Sequence, residues 1–118
     1  MTATNTRDAS YDSAGDPLAL CRQDIDRIDA MLVALLRERT RLALDVGRIK
    51  RAHGLAVAHP AREVDVLTRV RQLAGGPLDA DVAARIFERI ILETRALQHG
   101  ESEDAPALDA AAVGTVES

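Results

Sequence analysis

From Leu18 to Arg51 the chain reads LALCRQDIDRIDAMLVALLRERTRLALDVGRIKR, with no Pro and no Gly before Gly47. Apolar residues recur at Ile25, Ile28, Leu32, Leu35, Leu36, Leu42, Ala43, Val46 and Ile49, the three-and-four spacing of one helical face. At about 1.5 Å per residue such a helix runs roughly 50 Å. Asp16 predicts its cap and Pro17 its first position. His53-Gly54 predicts a left-handed stop near Ala52. The short apolar loop Leu55-Ala56-Val57-Ala58-His59 is expected to lie against the bundle.

Pro60 opens a second predicted helix to about Ala74, with Val64, Leu67, Val70 and Leu73 as its packing face, and Gly75-Gly76-Pro77 ends it. Asp79 caps a third, expected to reach about Gln98 and to close at His99-Gly100. Its apolar face carries Val82, Ile86, Phe87, Ile90, Ile91 and Leu97. The expected architecture is an all-α, three-helix chain with a long N-terminal helix. A helical domain over 17–99 is flanked by a disordered tail at 1–16 and a disordered acidic tail at 100–118. A first helix of about 34 residues cannot cover its face with neighbours of about 15 and 19. The overhang predicts a second copy of the chain in an intertwined homodimer.

Composition narrows the picture. With 118 residues, 47% of them apolar, the chain suits one packed domain. Tyr11 and Phe87 are its only aromatics, which favours helices over a β-sandwich. No 18-residue apolar run is present, the start MTATNTRDAS lacks a basic-then-apolar signal pattern, and Cys21 is the single cysteine. A reducing cytoplasm is the expected location. His53, His59 and His99 with Cys21 show no metal-ligand spacing, so no metal site is expected.

The net charge of −4 is unevenly spread: −2 over residues 1–17 and −5 over 101–118, which leaves +3 in residues 18–100. A mildly cationic middle suits a small anion. No basic patch interleaved with aromatics is present, which argues against nucleic acid.

Two cations interrupt the first helix's stripe. Arg39 follows Leu35 on the same rung, and Lys50 follows Val46. Eleven residues apart at about 100° each, they fall within about 20° of one another. Cations on an apolar side need a negative partner, because burying them bare is costly. On the third helix Thr94 and Gln98 share the inward arc with Phe87 and Ile91, and the second begins with the adjacent Arg62 and Glu63. The set holds several cations, one carboxylate and two neutral polar groups, with no obvious nucleophile. Each has a simpler reading by itself: Arg39 as a snorkelling edge arginine, Thr94 and Gln98 as a fraying last turn, Glu63 as a complement to a helix N-terminus. Arg37, Arg41, Asp45, Arg48 and Arg51 read as a solvated face.

Taken in order, these residues resemble the all-helical chorismate mutases, intertwined three-helix dimers that convert chorismate to prephenate in aromatic amino acid biosynthesis. The resemblance covers about residues 18–98. It rests on Arg22 with Ile25, Ile28 and Asp29, then LLRERTRLALDVGRIK, then Ala58-His59-Pro60-Ala61-Arg62-Glu63, and then Phe87 through Thr94 with Gln98 four residues on. It implies that Arg39 pairs with a substrate carboxylate and that Arg22 reaches a carboxylate from the partner protomer. Lys50 and Gln98 would hydrogen-bond the ether oxygen whose bond breaks, and Glu63 would accept from the ring hydroxyl. Arg62 and Thr94 would line the carboxylate side. His59 departs from the pattern, standing where the common enzymes have Asp. A mutase for 4-amino-4-deoxychorismate and an isochorismate pyruvate-lyase remain alternatives on the same fold. A non-catalytic helical dimer is the alternative of another class, and dependence on a larger synthase partner is left open.

Overall fold

The computed structural model describes residues 15–104. Three helices follow in order: α1 (Pro17–Ala52), α2 (Pro60–Leu73) and α3 (Ala80–Asp104). Among the described residues there is no strand, only an isolated bridge between Gly75 and Leu78. None of these helices is long and apolar enough to cross a membrane. The chain divides into two units, Met1–Arg39 and Thr40–Ser118.

In the first unit, Asp16 caps α1 as expected. Its carboxylate accepts from the Leu18 N–H at 2.9 Å and its carbonyl from the Leu20 N–H at 2.9 Å. The apolar residues of this stretch stand in solvent in the single chain, among them Ile25, Ile28, Leu32 and Leu35, the last 67% exposed.

In the second unit, α1 ends in a Schellman motif: Gly54 takes φ +70°, the Leu55 N–H bonds the Lys50 carbonyl at 2.7 Å, and the Gly54 N–H bonds the Arg51 carbonyl at 3.1 Å. Pro60 occupies the first turn of α2, which needs no donor there. Gly76 at φ +58° makes the tight turn that the Leu78 N–H closes on the Gly75 carbonyl at 3.0 Å. Asp79 caps α3 through its carboxylate, at 2.9 Å from the Asp81 N–H and 3.3 Å from that of Val82.

α2 and α3 pack together, on faces that share Leu67, Val70, Phe87, Ile90 and Ile91 with the expected ones but are turned from the rest. On α2, Glu63, Val66, Leu67, Val70 and the following Ala74 are partly covered, whereas Val64 and Leu73 are 62% and 77% exposed. The covered face of α3 runs through Ala83, Ala84, Phe87, Ile90, Ile91, Thr94, Arg95, Gln98 and Glu101, and leaves Val82, Ile86 and Leu97 outside. Ala83 and Ala84 are its buried apolar residues, because small side chains let another backbone come close.

Two further expectations are met only in part. The loop after α1 borders α3 but is not covered by it: Leu55, Ala56 and Ala58 are exposed and only Val57 is half-buried. α3 does not stop at Gly100 but continues to Asp104. Gly100 does not take the positive φ that makes a glycine a stop, and Glu101 beyond it is tied to Arg48 and Arg51 of α1. Of the tails expected at 1–16 and 100–118, residues 1–14 and 105–118 lie outside the described residues.

Candidate active site

The close approach of α3 to the last turns of α1 forms the polar heart of the second unit. Gly47 is the buried residue of α1. A Cβ there would meet Gln98 Cγ at 3.5 Å, Gln98 Nε2 at 3.7 Å and Arg51 Nη1 at 3.4 Å. The missing side chain is what lets Gln98 lie against the helix. Its Nε2 donates to the Ala43 carbonyl at 2.7 Å, which uses one of two N–H groups and leaves the other to donate elsewhere. Lys50 follows Gly47 by one helical turn and is half-buried.

Thr94, one turn before Gln98, is only 8% exposed, and its hydroxyl donates to the Ile90 carbonyl at 2.7 Å. Its single hydrogen is thereby committed within its own helix. Glu63, in the first turn of α2, is bound by a residue the sequence reading passed over: Arg95 Nη2 lies 2.5 Å from Glu63 Oε2. Arg95 sits four residues after Ile91 and three before Gln98, so the helical period already placed it on the inward arc. Arg62 is exposed. His59 is exposed and serves as the N-cap of α2 without a side-chain bond; its carbonyl accepts from the Glu63 N–H at 3.2 Å.

Not all of the supposed solvated face is solvated. The Arg51 side chain is 19% exposed, its two terminal nitrogens are buried without a hydrogen bond, and Glu101 Oε1 lies 3.6 Å from Nη2. Arg48 bonds Glu101 and, at 2.8 Å, Asp45. Glu101 in the first place, and then Asp45, raises the Arg48 pKa above the usual guanidinium value against a smaller opposing effect of burial. Gln98 is thus flanked by one ordered ionic cluster on its C-terminal side and the Arg95–Glu63 pair on the other. A pocket of about 310 Å³ opens next to it, lined by Ala56, Val57, Ala58, Arg95, Gln98 and His99.

In the first unit Arg22 is exposed and Arg39 is half-buried. Among the described residues no group of three or more His, Cys, Asp or Glu side chains is placed to hold a metal ion.

Chemically, the second unit offers an amide donor of α3 seated on the Ala43–Gly47 turn of α1, an ammonium one turn further along α1, a paired carboxylate, and a buried hydroxyl. Such groups can orient an anion and stabilise charge developing on an oxygen. The comparisons with known proteins point the same way. The family model for chorismate mutase type II matches residues 21–99. A bifunctional chorismate mutase/prephenate dehydratase of Neisseria gonorrhoeae is 40% identical over 77 residues, which make up 65% of this chain and 21% of that protein. The chain therefore spans about a fifth of the length of that bifunctional relative. The chorismate mutase of Methanocaldococcus jannaschii is 36% identical over 84 residues, 70% of this chain and 85% of that protein. A solved chorismate mutase (form II) from Thermus thermophilus superposes with a TM-score of 0.69 at 26% identity, covering 71% of this chain and 96% of that one. On the family model and the Methanocaldococcus relative together, the chain belongs to the chorismate mutase type II family.

Proposed function

We propose that this protein rearranges chorismate to prephenate without a cofactor, as a cytoplasmic homodimer. The observation that carries the reading is the seating of Gln98 on the Ala43–Gly47 turn, one turn before Lys50. In this reading the free N–H of Gln98 and the Lys50 ammonium meet the ether oxygen. Arg39 pairs with one carboxylate, and Arg22 supplies a second cation from the partner protomer. Glu63 accepts from the ring hydroxyl, and Arg62 and Thr94 line the carboxylate side. Thr94 would have to release the Ile90 carbonyl to donate there. The His59 position contributes through its backbone.

The reaction is one concerted step within one molecule. The ether C–O bond breaks as a C–C bond forms between the enolpyruvyl methylene and the ring, so no nucleophile or proton shuttle is required. What the protein supplies is a compact, chair-like hold on a dianion and donors aimed at the oxygen that gains charge. Enzymes commonly gain at least about 10⁶-fold, or roughly 8 kcal/mol, a scale that positioning and two charge-stabilising donors can reach. The apolar residues of the first unit support the dimer in this reading: Ile25, Ile28, Leu32 and Leu35 are exposed in the single chain, and a second copy would cover them.

The test is incubation of purified protein with chorismate, 4-amino-4-deoxychorismate and isochorismate separately, with each product identified. Prephenate formed from chorismate supports the reading. Pyruvate released from isochorismate, with chorismate untouched, overturns it.

A further inference from the structure

Arg95, the partner of Glu63, has no part in the chemistry so far. The ion pair joins α3 to the first turn of α2, with Nη2 2.5 Å from Oε2, and the side chains are 37% and 32% exposed. The second carboxylate oxygen, Oε1, takes no bond from the described residues and remains an acceptor. Arg95 lines the pocket together with Gln98, His99 and the small apolar residues of the loop.

A lone carboxylate facing a ligand favours an ammonium over a neutral hydroxyl, because it adds a full charge–charge attraction to the hydrogen bond. A carboxylate already joined to a guanidinium is different. Its charge is largely cancelled, it still accepts a hydrogen bond, and the neighbouring Arg95 repels a cation. We propose that Arg95 is a specificity-determining residue: by neutralising Glu63 it selects a ring that carries a neutral hydroxyl over one that carries an amine. This rests on the reading above that Glu63 faces the ring substituent. It sets chorismate apart from 4-amino-4-deoxychorismate, whose amine is cationic near neutral pH.

The experiment compares kcat/KM and dissociation constants for the two compounds in wild type, Arg95→Met, Arg95→Lys and Glu63→Gln, with circular dichroism to confirm folding. Arg95→Met leaves an unpaired carboxylate and shifts the hydroxyl-to-amine preference by about tenfold toward the amine, the scale of one charge at a partly exposed site. The shift falls on KM and on binding of the amine compound rather than on kcat for chorismate. Arg95→Lys keeps the charge and most of the preference. Glu63→Gln leaves Arg95 unpaired and moves the preference the other way, away from the amine. Should Arg95→Met not fold, the Lys and Gln variants decide alone. A folded Arg95→Met, or a folded Glu63→Gln, whose ratio stays at the wild-type value overturns the inference and leaves Arg95 a structural tie. A wild type that turns over neither compound overturns the proposed function instead, and the ratio of dissociation constants still decides the role of Arg95.

Discussion

Replacing Gly47 tests how tightly α3 is seated on α1. A Cβ at this position would stand 3.4 Å from Arg51 Nη1, 3.5 Å from Gln98 Cγ and 3.7 Å from Gln98 Nε2. These are contact distances, and the nearest atom is the far end of a flexible arginine. Gly47→Ala therefore fits. Alanine is favoured over glycine in a helix interior by about 0.8–1 kcal/mol, so a gain of about 0.5–1 kcal/mol remains after small adjustments. For a domain of this size that is a rise in Tm of roughly 2–8 °C. Gly47→Leu adds three more carbons against walls already in contact. Overpacking of this kind costs about 1–3 kcal/mol, enough to cancel the helical gain and lower Tm.

The side chain that must give way is Gln98, whose 2.7 Å bond to the Ala43 carbonyl would open. Losing a placed donor at a developing oxyanion costs about 10²-fold in rate, so Gly47→Leu is expected to lose turnover on that scale while Gly47→Ala stays near wild type. Thermal unfolding followed by circular dichroism and steady-state kinetics with chorismate give the two readouts. A Leu variant that matches wild type in both would refute the tight seating, and so would an Ala variant that loses stability.

Lys50→Ala should lower kcat by about 10²-fold or more, because the ammonium meets charge that appears only as the ether bond breaks; Arg39→Ala should show the larger rise in KM. Steady-state kinetics on both folded variants separates the two, and an unchanged kcat in Lys50→Ala would sink the mechanism. Mixed dimers of Arg22→Ala and Arg39→Ala chains should recover activity, since one site in each heterodimer receives both arginines; exchange without recovery removes Arg22 from the neighbouring site. Asp79→Ala removes the α3 cap and should cost about 1 kcal/mol in urea unfolding. Arg71, through its hydrogen bond and then its charge, holds the exposed Asp81 carboxyl below its ordinary value of 3.8. The pair's small contribution to stability is present above that value and fades as pH falls through the lowered one. Arg71→Ala should therefore differ least from wild type in the most acidic unfolding curves.

Element starts and stops were legible because their causes are local. Asp16, Asp79 and Gly54 act through bonds that span only a few residues, and Pro60 acts through its own ring, so the residue types alone determine where α1 begins and ends and where α2 and α3 begin. The three-helix class followed from the same signals and from the spacing of Leu, Ile and Val.

Which rung faces inward was legible only in part: Leu67, Val70, Phe87, Ile90 and Ile91 are covered as expected. Hydropathy favoured Val64 and Leu73 on α2 and Val82, Ile86 and Leu97 on α3, yet the covered rungs run through Val66, Ala83 and Ala84. Close approach is decided by small side chains such as Gly47, Ala83 and Ala84, and these carry almost no hydropathy signal. The same holds for the charges. Arg95 looks like any surface cation until the fold sets it against Glu63, 32 residues earlier. Gly100 looks like a stop until Glu101 finds Arg48, 53 residues away. Chain chemistry determines what each residue can do within its own turn of helix; only packing between helices decides which distant charge it meets, and so which polar groups surround Gln98.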